Sequence, residues 1–310
     1  MAAVAASYQF SAQPQHDGSA IRLITGLKEG SSANAAIGEG LAREYANSLP
    51  PRTLELLESA NGAVDTLQAL QEGTTDFGIT LADVAFLAYS GQLEGHPRFD
   101  RLRGVAVLDL VPVHLLVHPD SGVRTLADLR GRSVNVGPSG SEARVISGVV
   151  LNAFGVPLEA VRIESLPFPE AVAALVHGEL HAMFVTVTDP ADLIREATAK
   201  GARLLPIDGA PVKQLRQEYP FLQLTQSQGG LYDGHRESIR TIGVEKVLLC
   251  RGDLAEDIVH EMTGRLFEVL PRVSQSLGPG RFTALESAPA TPVPLHAGAA
   301  RYYRERELFR

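Results

Sequence analysis

Three short turns of small and hydroxyl-bearing residues give this chain its clearest capacity to hold an anion. They are Gly30-Ser31-Ser32, Asn61-Gly62 and Ser139-Gly140-Ser141, each standing directly before a segment with helical spacing. The first N–H groups of a helix have no partner within it and the helix dipole is positive there, so such a turn can grip a carboxylate through main-chain donors. Serine hydroxyls add donors without bulk. Taken singly, these turns read as ordinary helix caps; their recurrence at matching places favours a ligand. Thr188 and Asp189 follow a strand-like run. Asp189 can meet an ammonium group or cap a helix opened by Pro190.

Catalytic readings find little support. There is no His-Glu-x-x-His, and the nine histidines show no metal-ligand spacing. Gly137-Pro138-Ser139-Gly140 falls short of a nucleophile elbow, and no base is identifiable for Ser139 or Ser141. Gly26-x-x-x-Gly30 lacks both the Lys-Ser/Thr ending of a phosphate-binding loop and the dinucleotide glycine spacing. Cys250, the single cysteine, follows Val247-Leu248-Leu249 and reads as a buried strand thiol. His114, His118 and His181 read as satisfied core histidines. No metal and no cofactor is expected.

The elements that must position these turns occur twice. Residues 21–25 form a compact apolar run, followed by a helical pattern with Ile37, Leu41 and Tyr45 on one face. A strand at 54–57, a helix with Val64, Leu67 and Leu70 inward, Gly73 and a strand at 76–80 complete the unit. From Ser133 the order returns: strand 133–136, Gly/Ser turn, helix 142–154, strand 161–165, a helix from Pro169, Gly178 and strand 181–187. Two α/β units imply two lobes with parallel sheets. Ligands of open α/β sheets bind outside the carboxyl ends of the strands, where the turns lie. Residues 112–118 read as a strand leaving one lobe for the other, and 241–249 as the return. The expected organisation is a leader at 1–20, a first lobe from 21–115 and 241–310, and a second lobe from 116–240.

The 310 residues carry a net charge of −8, with basic residues scattered rather than clustered, which argues against nucleic acid. At 45% hydrophobic and 21% charged the composition is that of a globular protein. No apolar run approaches the ~20 residues needed to span a bilayer. Met1-Ala2-Ala3-Val4-Ala5-Ala6 lacks the charged start and long apolar stretch of a signal peptide. The protein is therefore expected in the cytoplasm, or in the periplasm if an export signal has been removed.

From about residue 21 to about residue 305 the chain resembles the TAXI family, the solute receptors of tripartite ATP-independent periplasmic (TRAP) transporters. The most specific match is Pro294-Leu295-His296-Ala297-Gly298-Ala299-Ala300-Arg301-Tyr302-Tyr303-Arg304-Glu305. Asp83-Val84-Ala85-Phe86-Leu87-Ala88-Tyr89-Ser90-Gly91, Leu126-Ala127-Asp128-Leu129-Arg130-Gly131, Val136-Gly137-Pro138-Ser139-Gly140-Ser141 and Glu218-Tyr219-Pro220-Phe221 also fit. The resemblance implies a two-lobed type II periplasmic-binding-protein fold, with a cleft that takes a dicarboxylate or an amino acid such as glutamate. It implies delivery of that solute to a TRAP permease, with no catalysis. Ser139, Gly140 and Ser141 match the family's binding turn, and Tyr232 matches a tyrosine usual after a Gly/Pro turn. The chain departs from the pattern at Ser32-Ala33-Asn34, where an aromatic residue is usual, at Thr188-Asp189-Pro190, where Gly-x-Pro is usual, and at Leu81-Ala82, where it loses the hydrogen-bonding groups of a Gln and a Ser. Two other readings of the same fold are a lyase-like enzyme acting on a carboxylic acid and a ligand-sensing module.

Overall fold

The computed structural model describes residues 20–27, 32–47, 53–59, 62–219, 221–277 and 284–306. The first repeat forms β1 (Ala20–Leu27), α1 (Ser32–Ala46), β2 (Thr53–Ser59), α2 (Ala63–Glu72) and β3 (Phe77–Leu81). A short helix, α3 (Ala82–Ser90), leads to the long strand β4 (Leu102–Val117). The second repeat forms β5 (Ser133–Asn135), α4 (Glu142–Ala153), β6 (Arg162–Glu164), α5 (Phe168–Val176) and β7 (Ala182–Thr186). After it come α6 (Asp192–Ala199), β8 (Arg203–Leu205), α7 (Ala210–Glu218), β9 (Leu222–Ser227), β10 (Ile239–Arg251), α8 (Glu256–Leu277) and α9 (Ala297–Glu305). The expected leader lies almost wholly outside the described residues.

The repetition extends to the pairing. β1 lies between β2 and β3, parallel to both, and β5 lies in the same way between β6 and β7. Each third strand then meets a long antiparallel one: β3 pairs with β10, and β7 with β4. The two long strands pair with each other, Leu102–Pro112 of β4 against Gly243–Arg251 of β10, so the sheet runs β2-β1-β3-β10-β4-β7-β5-β6.

Pro112 sits where β4 changes partner. Residues up to Pro112 pair with β10, and Val113 already pairs with Thr186 of β7. Proline has no N–H to give a ladder, so it suits a residue at which one ladder ends and another starts. Opposite it stands Gly243, where a Cβ would lie 2.7 Å from the Leu110 side chain. A larger residue at Gly243 would have to push the Leu110 side chain aside.

Apolar side chains hold each half. Ile37 and Leu41 of α1, Leu266 of α8 and Tyr303 of α9 close over Leu23, Phe77 and Leu248. Val172 and Leu175 of α5 and Ile194 of α6 pack on Met183 and Val185. A third cluster bridges the halves, running from Leu67 and Val84 through Val107 and Val244 to Val134, Ile146 and Phe184. Burying a side chain of this size contributes about 1.5–3 kcal/mol.

The closing segment has a structural task. Gly104 N–H donates to Pro294 O (2.9 Å), His296 N–H donates to Gly104 O (2.9 Å), and the Tyr303 hydroxyl donates to Val105 O (2.8 Å). His296 caps α9 by accepting from Gly298 N–H at 3.1 Å. A Cβ on Gly298 would stand 2.2 Å from Glu256 O, so only glycine lets α9 lie on α8. Among the described residues no helix is long and apolar enough to cross a membrane.

Candidate functional site

Helix starts at the carboxyl ends of the parallel strands bring the two halves together. Gly62, with φ +97°, precedes α2 in a conformation that residues with a side chain rarely adopt. Its N–H donates to Ser59 Oγ at 3.1 Å. One residue into the helix, Val64 N–H points at Gly140 O of the other half, 3.5 Å away. Gly140, with φ +77°, belongs to the 137–141 turn, where Ser141 N–H closes on Pro138 O at 3.1 Å. The Gly62 and Gly140 corners therefore face and touch one another.

Ser141 is engaged as a cap: its hydroxyl accepts from Arg144 N–H at 3.3 Å, satisfying a donor at the start of α4. Ser139 is exposed at the tip of the turn. Gly30, Ser31 and Asn61 lie outside the described residues. Ser32 opens α1. Two residues on, the Asn34 amide nitrogen donates to Thr25 O at 3.0 Å, and its oxygen has no partner.

Asp189 and Tyr232 meet beyond the end of β7 in one hydrogen-bonded network, and Thr188 bonds separately to Asp109 of β4. The Asp189 carboxylate accepts from Ser227 Oγ (2.6 Å) and from the Tyr232 hydroxyl, and His114 Nε2 lies 3.3 Å away. Thr188 Oγ1 donates to Asp109 Oδ2 at 3.3 Å, and Ala191 N–H donates to the Tyr232 oxygen at 3.0 Å. Burial pushes the Asp189 pKa up, but the hydrogen bonds from His114, Ser227 and Tyr232 outweigh it and hold the group below the usual value. Burial and the adjoining carboxylate drive the Tyr232 pKa up. Asp189 does not cap a helix, contrary to the expectation from Asp-Pro. The Asp189–Pro190 bond is cis, α6 begins at Asp192, and its N-cap Ala191 has no side-chain cap. The carboxylate turns instead toward β4 and β9, joining three segments.

The three histidines singled out are locally satisfied; His114 lies in the core, whereas His118 and His181 are half-buried and outside it. His114 Nε2 also lies 3.1 Å from Val187 O, His118 Nδ1 accepts from Asp120 N–H at 3.2 Å, and His181 Nδ1 is 2.7 Å from Ser133 Oγ. Cys250 is buried on β10, where burial drives its thiol pKa up and keeps it protonated. Among the described residues no group of three or more His, Cys, Asp and Glu gathers as a metal site.

Sequence reasoning missed the most unusual groups on this edge. Asp83, in the first turn of α3, is 1% exposed, and neither carboxylate oxygen has a hydrogen-bond partner. The Val84 and Asp83 amides exert a favourable field without forming a well-aligned bond. Burial, reinforced by the charge of Glu142, pushes the carboxyl up to about 8. Glu142, the first residue of α4, comes from the opposite half and accepts from Thr80 Oγ1 of β3 at 3.4 Å. Burial raises its pKa too, opposed by the charge of buried Lys246. At the end of β5, Asn135 accepts from Leu166 N–H at 2.8 Å while its buried amide nitrogen finds no partner. The readable signal was Asp83 itself, the single charge in a helix otherwise of apolar residues, a tyrosine and a serine.

The doubled sheet with two crossing strands defines the class: a two-lobed α/β fold of the type II periplasmic-binding-protein kind. Three solved structures share it. XAC2383 from Xanthomonas citri, bound to ATP, is 12% identical with a TM-score of 0.57 over 94% of this chain and 100% of that one. A TctC solute-binding protein from Polaromonas is 16% identical, with a TM-score of 0.50 over 93% and 97%. A binding-protein component of an ABC phosphonate transporter from Pseudomonas aeruginosa is 13% identical, with a TM-score of 0.50 over 93% and 85%. At such identities the likeness establishes the fold alone. Within that class, the chain belongs to the NMT1-like family, which it matches over residues 35–306.

Proposed function

We propose that the protein is a solute receptor that captures a small carboxylate-bearing molecule between its halves and passes it to a membrane permease of the TRAP type. The observation that carries this reading is the meeting of the Gly62 and Gly140 corners, two helix-start turns of opposite halves separated by one 3.5 Å contact. Such corners, when parted, offer unpaired main-chain donors on both sides of a gap. The lobes are 21–115 with 241–310, and 116–240; the crossing strands β4 and β10 form the hinge between them. Closure over a solute would be stabilised only by the solute's greater affinity for the closed form.

Ser139 is an exposed group that can reach a solute as the turn opens. Gly30, Ser31, Ser32 and Asn61 are included as binding residues on the sequence pattern alone. Thr188, Asp189 and Tyr232 shape the wall near the hinge, since their polar groups are already paired. The permease assignment rests on the closing segment and the other quoted motifs alone. A receptor of this kind works in the periplasm. Binding rather than turnover is the proposed activity.

A thermal-shift screen of dicarboxylates, amino acids and aromatic acids tests the proposal. Stabilisation by one class of small acid is the expected result. A melting temperature unmoved by every acid at millimolar concentration would rule it out.

A further inference from the structure

We propose that Asp83 and Glu142 form a subsite for a positively charged nitrogen on the solute, one carboxylate supplied by each half. The inference rests on the receptor reading above and narrows the chemistry of its ligand. Main-chain donors explain how a carboxylate could be held; they do not explain a buried acid, Asp83, beside a half-buried one, Glu142, at the same edge.

Asp83 carries the inference. It follows β3 directly, at the carboxyl end where α/β sheets take their ligands. Its side chain is enclosed, yet both oxygens lack a donor. A buried ionised carboxylate without a partner is strongly disfavoured, so the group must either hold a proton or receive a cation. Among the described residues no Lys, Arg or His pairs with Asp83. Lys246, the cation felt by Glu142, has an interaction of its own and does not satisfy Asp83.

Glu142 lies close enough for its charge to act on Asp83, although it belongs to the opposite half and reaches across to Thr80. Placing like charges together is unfavourable when the site is empty and becomes favourable around a cation. An ammonium group has three N–H donors and no acceptor, which suits oxygens that lack donors. Metal coordination is a poorer fit, since the described residues gather no third acidic or imidazole ligand. A solute with an amine beside its carboxylate would place one end on the turn amides and the other on this pair. A nitrogen-free dicarboxylate would bring a negative group against Asp83 and Glu142.

The test uses matched probes in calorimetry and thermal shift: L-glutamate with glutarate, L-leucine with 4-methylpentanoate, and L-phenylalanine with 3-phenylpropanoate. Agmatine and 1,4-diaminobutane serve as amines without a carboxylate. The expected result is that at least one amine-bearing probe binds, more tightly than its nitrogen-free analogue. That affinity should fall about tenfold or more in Asp83→Asn, the scale of one lost charge-assisted contact. Glu142→Gln should weaken the same probe. If Asp83→Asn does not fold, Glu142→Gln and the wild-type pairs decide the matter. Nitrogen-free acids binding as tightly as their amine partners, or an Asp83→Asn affinity within about twofold of wild type, would overturn the inference alone. Binding by none of the probes would overturn both the inference and the receptor reading.

Discussion

Gly62 and Gly140 lie so close that a methyl group on the first would stand 3.3 Å from the carbonyl oxygen of the second. They are 78 residues apart, one before α2 and the other before α4, and they bring the halves into contact.

Gly62→Ala should loosen that contact. The backbone is at φ +97°, so alanine is strained there even without a neighbour. A loss of about 1–2 kcal/mol in urea denaturation is expected. Small-angle scattering should report a larger radius as the corners part.

Asp83→Asn should change how stability responds to pH. The folded carboxyl has been pushed up to about 8 from 3.8, so between those values the folded state holds a proton that the unfolded state has released. Its contribution is complete below about pH 4 and is lost as pH rises toward 8. Stability of the unliganded protein should therefore fall across that window, and the variant should flatten the fall by about 2 kcal/mol or more. Glu142, and Glu245 at about 7, are raised in the same sense by burial, so some slope remains. Denaturant midpoints at several pH values provide the measurement.

Tyr232→Phe should cost about 1–3 kcal/mol, because it removes a donor to Asp189 and the acceptor used by Ala191 N–H. Asp189 is shifted the other way from Asp83. Its contribution is present at neutral pH and is lost as pH falls below about 4. Thermal melts of the variant should show the loss at pH 7 shrinking in acid.

Gly298→Ala tests the closing segment. Its Cβ would meet Glu256 O at 2.2 Å and His260 N at 2.9 Å, both main-chain atoms of α8. A loss of about 2–4 kcal/mol and a lower soluble yield are expected.

Much of the fold could be read from the order of residues, because both repeats keep the periods that separate strand from helix. Ile37, Leu41 and Tyr45 do share one buried face, and the pairings β2-β1-β3 and β6-β5-β7 match. The Gly62 and Ser139-Gly140-Ser141 turns could be picked out as helix starts, where glycine and serine are favoured. Asp189 was misread, since Asp-Pro before an apolar stretch looks locally like a cap. Its real partners, His114, Ser227 and Tyr232, come from 75, 38 and 43 residues away. Nor could local spacing place Glu142 beside Thr80, 62 residues distant, or show that Asp83 would be left without a donor. Such facts are made by the closure of the sheet.

The most direct measurement is a crystal structure of the protein grown with whichever small acid stabilises it most. The solute should lie between the Gly62–Val64 edge and the 139–142 turn, with an amine nitrogen within hydrogen-bond distance of Asp83. Density for that solute on an outer face of either half, with the two corners still in contact and nothing between them, would contradict capture between the halves.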